Sequence, residues 1–114
     1  MKIKNNNNLE SDYRILEALK KNPNISQRDL ANELGYSLGK VNYLLEALFN
    51  RGLVKMDNFI KSNNKIGYMY ILTPKGILER AKITKRFLNR KIEEHKIIQK
   101  EINALREKIV NEKK

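Results

Sequence analysis

Residues 37–43 bring an ammonium group, a carboxamide, a phenol and a glycine together in one short segment. Lys40 can donate to a phosphate or to a guanine edge, and the amide of Asn42 can both donate and accept, as an adenine edge requires. Tyr43 can pack on a thymine methyl group or bind a phosphate. Gly39 allows close approach to the backbone, at a helix-propensity cost of about 1 kcal/mol. The predicted DNA-contacting residues of this segment are Ser37, Leu38, Gly39, Lys40, Asn42 and Tyr43. The alternative is that they form an ordinary solvated helix face.

A second group of candidate residues begins the preceding predicted helix. The free backbone N–H groups of a helix start can bind a phosphate, which makes Gln27 a candidate contact. Arg28 can add a charge-assisted hydrogen bond to the same phosphate. Alternatively, Arg28 is a surface side chain that pairs with Asp29 or Glu33.

A third group lies in the polar segment 61–67. Lys61 and Lys65 flank Asn63 and Asn64, so two positive charges border a flexible, turn-forming tip. Such a tip can straddle the phosphate backbone or enter a minor groove. The alternative is a hairpin tip whose charges serve only solubility.

The overall charge favours a polyanionic partner. Lysine and arginine total 24 against 13 aspartate and glutamate, a formal net charge of +11. Such a balance favours nucleic acid first and an anionic membrane surface second. The basic C-terminal segment shows no tryptophan and has the pattern of a helix–helix seam, so a membrane role is not expected.

Composition argues against catalysis and against metal or cofactor binding. The chain has no cysteine and a single histidine, His95, so thiolate or polyhistidine metal sites are not expected. No serine lies near that histidine in the sequence, and the glycines are too dispersed for a phosphate-binding loop. No apolar run approaches the roughly 18–20 residues that span a bilayer. We therefore expect a cytoplasmic protein that is not an enzyme.

Three helices are predicted to position these residues. The first covers residues 11–21, with Ser11 or Asp12 as its cap. The second begins at Ser26, whose side chain can accept from the backbone N–H of Asp29, and ends at residue 35. The third runs over 37–51, and its apolar residues recur at the i, i+3, i+4, i+7 spacing of a buried face. The short turn between the second and third helices is typical of a helix–turn–helix.

A β-hairpin is predicted next, with strands over 53–59 and 68–72. The expected fold class is mainly α with a small β-hairpin: a winged helix–turn–helix followed by a long C-terminal coiled-coil helix. The expected organisation is a disordered polar terminus over 1–8, a winged helix–turn–helix over 9–73 and a dimerisation helix over 74–114.

The last helix is predicted to begin at Pro74, capped by Thr73, and to reach about Glu112. From His95 onward its apolar residues alternate at spacings of three and four, the seam of a coiled coil. We favour an intermolecular seam that forms a homodimer over a helix folded back onto the domain, and the pattern fits both parallel and antiparallel pairing. The predicted dimerisation residues are Leu88, Ile92, His95, Ile98, Ile102, Leu105 and Ile109.

Two sequence blocks, 24–31 and 37–45, resemble the MarR family of winged-helix transcription factors. Residues 62–68, Ser-Asn-Asn-Lys-Ile-Gly-Tyr, and 72–76, Leu-Thr-Pro-Lys-Gly, are similar to the small members associated with exopolysaccharide gene clusters. The resemblance covers about residues 10–106. It implies a sequence-specific DNA-binding regulator of exopolysaccharide synthesis genes, and it names no small-molecule effector.

The residues and the resemblance together predict a regulator that binds double-stranded DNA as a dimer. Two recognition helices related by a twofold axis predict a roughly palindromic operator. The alternative is a nucleoid-type or RNA-binding winged-helix protein, which would use the same charges with little preference for sequence. A protein-interaction adaptor is a more distant alternative, because its third helix would not need the polar groups of Lys40 and Asn42.

Overall fold

The computed structural model describes residues 4–60 and 66–112, with side chains over 8–57 and 69–112. The elements within these ranges are α1 (Lys4–Lys21), α2 (Gln27–Leu34), α3 (Leu38–Asn50), β1 (Val54–Ile60), β2 (Ile66–Leu72) and α4 (Pro74–Glu112). This architecture confirms a mainly helical chain with a small hairpin, a winged helix–turn–helix followed by a long helix. The pairing of that last helix stays a prediction.

The first helix differs from its prediction at the start. It begins at Lys4 rather than at residue 11, so residues 4–8 of the segment expected to be disordered are helical, while 1–3 lie outside the described residues. The predicted caps, Ser11 and Asp12, are wrong: both residues lie in the middle of α1, where each contacts another part of the fold. Ser11 is buried and accepts a hydrogen bond from the Tyr36 hydroxyl, and Asp12 pairs with Arg51. Contacts with α3, α4 and the turn before α3 therefore outweigh the local capping preference.

The helix–turn–helix follows its sequence signals closely. The Ser26 hydroxyl accepts from the Asp29 N–H at 3.0 Å, and the Ser37 hydroxyl accepts from the Lys40 N–H at 3.0 Å. Gly35 ends α2 with a left-handed backbone, φ 74°, and its N–H donates to the Ala31 carbonyl. These caps satisfy backbone groups that a helix end leaves free, and they fix where α3 starts.

The hairpin is longer than predicted at its tip. Val54 pairs with Leu72 and Ile60 pairs with Ile66, so β2 begins two residues before the predicted start at residue 68. The base of the hairpin is held to the helices because the Tyr70 N–H donates to the Pro23 carbonyl at 3.3 Å. The wing therefore starts from a fixed base beside α2 and α3.

One apolar core holds the helices and the hairpin base together. The helical stripes predicted to face inward are buried, including those of α2 and α3. The largest fully buried side chains are Ile15, Leu16, Leu19, Leu30, Val41, Leu48, Leu53 and Ile83. Because Ile83 belongs to α4, the first half of that helix is part of the same core.

The junction between the hairpin and α4 is tightly built. The Thr73 hydroxyl donates to the Gly52 carbonyl at 2.6 Å and accepts from the Gly76 N–H at 2.9 Å, which confirms Thr73 as the cap of α4. Any Cβ at Gly76 would collide with the carbonyl oxygen of Leu53. A residue without a side chain is therefore required here, which gives the Leu-Thr-Pro-Lys-Gly segment a packing role.

Beyond the core, ion pairs and one ring contact attach α4 to α1. Arg80 contacts Glu17 at 2.6 Å and Arg90 contacts Glu10 at 3.2 Å. Between these pairs, the Tyr13 and Phe87 rings stack at 4.6 Å. These contacts extend along α4 as far as residue 90, so α1 supports about the first half of the long helix.

The second half of α4 projects from the domain. From His95 to Glu112 every residue except Ile102 is exposed. The molecule is 74 Å long but only 28 by 23 Å in cross-section, which reflects this projection. Within the described ranges, no helix is both long enough and apolar enough to cross a membrane.

Candidate nucleic-acid interface

The outward face of α3 displays the residues that the sequence predicts as DNA contacts. Leu38 is 44% exposed and Tyr43 is 68% exposed, and Lys40 and Asn42 are also exposed. The opposite face of α3 is fully used in the core, where Val41, Leu44, Leu45 and Leu48 are buried. The helix therefore has a fixed orientation, with its first two turns open to solvent along one side.

Gly39 lies in the first turn of this open face. A Cβ built at Gly39 meets no atom of the chain within 4 Å, and its backbone is not in the left-handed region. The fold therefore gives no reason for a glycine at this position. A ligand that approaches the backbone closely would supply one.

A cluster around Tyr36 adjoins this face. The Lys40 ammonium lies 4.0 Å from the Tyr36 ring centroid, and the Arg14 guanidinium carbon lies 5.1 Å from it. Arg14 also donates to the Tyr36 hydroxyl at 3.3 Å, and that hydroxyl donates to Ser11 at 3.4 Å. The ring therefore positions two cations where α2 turns into α3.

A groove of about 270 Å³ separates α3 from the hairpin. Its α2 side is fixed by Gln27, whose side-chain amide donates to the Tyr70 hydroxyl at 2.7 Å. The predicted phosphate contact at Gln27 is thus half-buried, and its side-chain donor is engaged within the fold. The groove is lined by Gln27, Asn42, Leu45, Glu46, Phe49, Asn50, Met56 and Tyr70.

Arg28 follows Gln27 in the first turn of α2 and is exposed. In the described part of the chain it forms no salt bridge with Asp29 or Glu33, the two partners that its sequence position allowed. Its guanidinium is therefore exposed and not held by either acid. The predicted wing contacts Lys61, Asn63, Asn64 and Lys65 lie outside the described residues.

The opposite end of α3 is tied to the long helix. Arg51, which caps α3, pairs with Asp12 at 3.1 Å and approaches Glu79 of α4 at 3.9 Å. The pKa of Asp12 is raised above its ordinary value, mainly by burial of the carboxyl group. The hydrogen bond and positive charge of Arg51 oppose this rise, and the negative charge of Glu79 adds to it. One arginine thus connects the end of α3 with both α1 and α4.

The predicted dimerisation residues form an unpartnered stripe along α4. Leu88, Ile92, Ile98, Leu105 and Ile109 are between 44% and 59% exposed, although all are large and apolar. His95 is exposed and Ile102 is partly exposed. An apolar stripe of this length on a projecting helix needs a partner to be buried.

In the described ranges, no group of three or more His, Cys, Asp or Glu side chains is arranged to hold a metal ion.

Comparison with known proteins supports the fold. Residues 9–55 match the family model described as winged helix-turn-helix DNA-binding. A comparison with curated proteins finds no match. A solved structure of AbsC, a MarR family transcriptional regulator from Streptomyces coelicolor, aligns with a TM-score of 0.56 and 22% identity, covering 70% of this chain and 54% of that one.

Two further solved structures share this fold. The transcriptional regulator BldR from Sulfolobus solfataricus aligns with a TM-score of 0.52 and 26% identity, covering 72% of this chain and 59% of that one. Streptococcus pneumoniae FabT, solved in complex with DNA, aligns with a TM-score of 0.52 and 24% identity, covering 89% and 70% respectively. The chain thus spans little more than half the length of AbsC and BldR. It has the winged helix–turn–helix fold of MarR-family transcriptional regulators.

Sequence reasoning missed Arg14 and Tyr36 as part of this surface. Tyr36 precedes Lys40 by four residues, but it belongs to the turn rather than to α3, so helical spacing gave no signal. Arg14 is 22 residues from Tyr36, and a contact at that separation leaves no trace in local spacing.

Proposed function

We propose that this chain is a transcriptional regulator, not an enzyme, that binds a specific double-stranded DNA operator in the cytoplasm. The proposal rests on one observation: the first half of α3 is exposed on one side, while the opposite face of the helix is buried in the core and Ser37 caps its start. An α-helix fits the major groove of B-DNA, where the four base pairs present distinct donor and acceptor patterns. The side-chain amide of Asn42 can both donate to and accept from an adenine edge, and Lys40 and Tyr43 lie beside it on the exposed face.

The wing and α2 add contacts that do not depend on sequence. In this proposal Lys61, Asn63, Asn64 and Lys65 follow the backbone or the minor groove beside the site, and Arg28 binds a phosphate at the start of α2. Such contacts give affinity and register, while base contacts select the sequence. The net charge of +11 supports a salt-sensitive contribution of this kind.

A homodimer through α4 completes the proposal. The exposed stripe from Leu88 to Ile109 is buried against a second copy, with parallel or antiparallel pairing. Twofold symmetry then presents two recognition helices, so the operator is a rough palindrome with half-sites about 10–10.5 base pairs apart or a multiple of that spacing.

The proposed target genes are those of exopolysaccharide synthesis. This part rests on the resemblance of residues 62–68 and 72–76 to small regulators associated with such gene clusters. Binding at a promoter of that class, measured by immunoprecipitation of bound chromatin, supports it. Enrichment restricted to unrelated promoters contradicts it.

The recognition surface is tested by the double variant Lys40→Ala, Asn42→Ala. An operator is first selected from random duplex DNA with the natural chain. We expect the double variant to fold normally, because both side chains are exposed, but to prefer the operator over the scrambled duplex less strongly than the natural chain does. A variant whose preference for the operator is undiminished contradicts the assignment of α3. A natural chain that selects no sequence, or that prefers RNA, indicates the nucleoid-type or RNA-binding alternative.

The dimer is tested by placing lysines in the proposed seam and, as a control, outside it. The double variant Ile98→Lys, Leu105→Lys introduces charges into the proposed seam and is expected to sediment as a monomer. The control, Ile97→Lys, Val110→Lys, changes two residues of similar exposure that lie outside the proposed seam, and this variant should remain dimeric. Equal behaviour of the two variants contradicts the seam.

A further inference from the structure

Two cations from separate helices meet at one aromatic ring. Lys40 of α3 and Arg14 of α1 lie 4.0 and 5.1 Å from the centroid of Tyr36. Their charges are therefore no more than about 9 Å apart, about one Debye length at physiological salt, so salt screens their repulsion only in part. Cation–π attraction to a single ring partly offsets this repulsion.

No carboxylate neutralises this pair in the described part of the chain. Neither Arg14 nor Lys40 takes part in a salt bridge there. By contrast, Arg51, Arg80 and Arg90 each contact a glutamate or an aspartate. The fold thus supplies counter-charges where arginines join its helices, and it supplies none to the two cations beside the start of α3.

The cluster is held in place rather than left to move freely. The Tyr36 hydroxyl accepts from Arg14 and donates to Ser11, which is 5% exposed. The Tyr36 backbone N–H donates to the Ala31 carbonyl at 3.0 Å, which anchors the turn. A buried hydroxyl and a fixed backbone therefore set the ring, and the ring sets the two cations.

We propose that Arg14, Tyr36 and Lys40 form a clamp for a DNA backbone phosphate next to the bases that α3 contacts. This proposal rests on the proposed function and adds a residue of α1 to the DNA-binding surface. An anion is the group that two unpaired cations lack, and a guanidinium and an ammonium both donate hydrogen bonds to phosphate oxygens. Tyr36 is a positioning residue, because it acts through the two cations.

The clamp divides the roles of two neighbours on α3. Lys40, drawn back over Tyr36 toward the turn, serves affinity through a phosphate. Asn42, one residue past the buried Val41, serves selection of the base sequence. Removal of a phosphate contact weakens binding to all sequences alike, whereas removal of a base contact changes the preference.

The experiment measures binding of the full-length chain to its selected operator and to a scrambled duplex of equal length, at several salt concentrations. Arg14→Ala and Lys40→Ala are each expected to reduce the magnitude of the salt-dependence slope by about 0.9 per protomer, the value for one phosphate contact, which is about 1.8 for the proposed dimer. Arg14→Lys should restore that slope because it keeps the charge. Lys21→Ala is the matched control, since it removes one exposed cation from the last residue of α1, seven residues beyond Arg14.

In both alanine variants the ratio of operator to scrambled affinity should equal that of the natural chain, and Asn42→Ala should lower this ratio. The clamp is overturned if Arg14→Ala and Lys40→Ala leave the slope at the value of Lys21→Ala, or if they change the ratio instead. Lys40 is exposed, so its variant remains informative even if Arg14→Ala disturbs the fold. Failure of the proposed function looks different, because the natural chain itself then fails to discriminate between the duplexes.

Discussion

A single added methyl group at Gly39 is expected to stabilise the protein and to weaken its binding to DNA. Gly39 has ordinary helical backbone, and a Cβ there meets open space. Replacing glycine by alanine at such a position stabilises a protein by about 0.4–1 kcal/mol, mainly by restricting the unfolded chain. For a domain of this size, that corresponds to a rise in Tm on the order of 2–6 °C.

The opposite effect is expected on the operator complex. If the backbone of the first turn of α3 lies against the DNA, the methyl group overpacks that contact. Overpacking costs about 1–3 kcal/mol, which is roughly a 5- to 150-fold loss of affinity. Thermal melts give the first quantity, and fluorescence anisotropy with a labelled operator gives the second.

Gly76→Ala is the matched control for this prediction. Gly76 also lies in the first turn of a helix, but its Cβ would collide with the Leu53 carbonyl oxygen. The same substitution is therefore expected to destabilise the fold by at least about 1–3 kcal/mol. Operator binding by Gly39→Ala that is as tight as that of the natural chain would show that DNA does not approach this backbone closely. A fall in Tm like that of Gly76→Ala would show that the position is not open.

Three further predictions concern stability and assembly. Thr73→Val removes the hydroxyl that caps α4 and bonds to Gly52, and should lower the free energy of unfolding in urea by about 1–2 kcal/mol; no loss contradicts the capping role. Because burial raises the pKa of Asp12, the folded state binds the carboxyl proton more tightly than the unfolded state does. The free energy of unfolding, measured relative to Asp12→Asn, should therefore fall as pH rises from about 3.8 through the raised pKa. Urea melts in which this relative stability rises with pH would contradict the prediction. His95→Leu replaces a polar group in the proposed seam and should tighten the dimer, as measured by sedimentation; unchanged or weaker association contradicts this.

Local signals predicted the parts of the fold that depend on neighbours in sequence. Ser26, Ser37 and Gly35 act at the helix ends where their types place them, because a cap involves residues only a few positions apart. The buried faces of α2 and α3 follow from helical spacing for the same reason. The bounds of α4 followed from Thr73 and Pro74 at one end and a continuous helical pattern beyond.

Long-range contacts account for what the sequence did not predict. The start of α1 was misplaced because Glu10 and Ser11 are engaged by α4 and by the turn before α3, not by the local chain. The Gln27 side chain binds Tyr70, 43 residues away, whereas a phosphate contact to the backbone at this helix start stays a prediction. The Arg14 contact with Tyr36 is of the same kind, and it changes the interpretation of Lys40.

Arg51 joins the end of α3 to two other helices. Its guanidinium contacts Asp12 of α1 and approaches Glu79 of α4. The ends of α3 thus differ in their roles: the first turns face solvent, and the last turn is fixed to the elements that support the proposed dimer.

Parallel selections from random duplex DNA test whether the outward side of α3 touches the edges of base pairs. One selection uses the natural chain and the other uses Asn42→Ala. We predict an inverted repeat for the natural chain, and for the variant the same repeat with preference lost at one symmetric pair of positions. Two identical motifs, or no motif from the natural chain, would contradict base contact by α3.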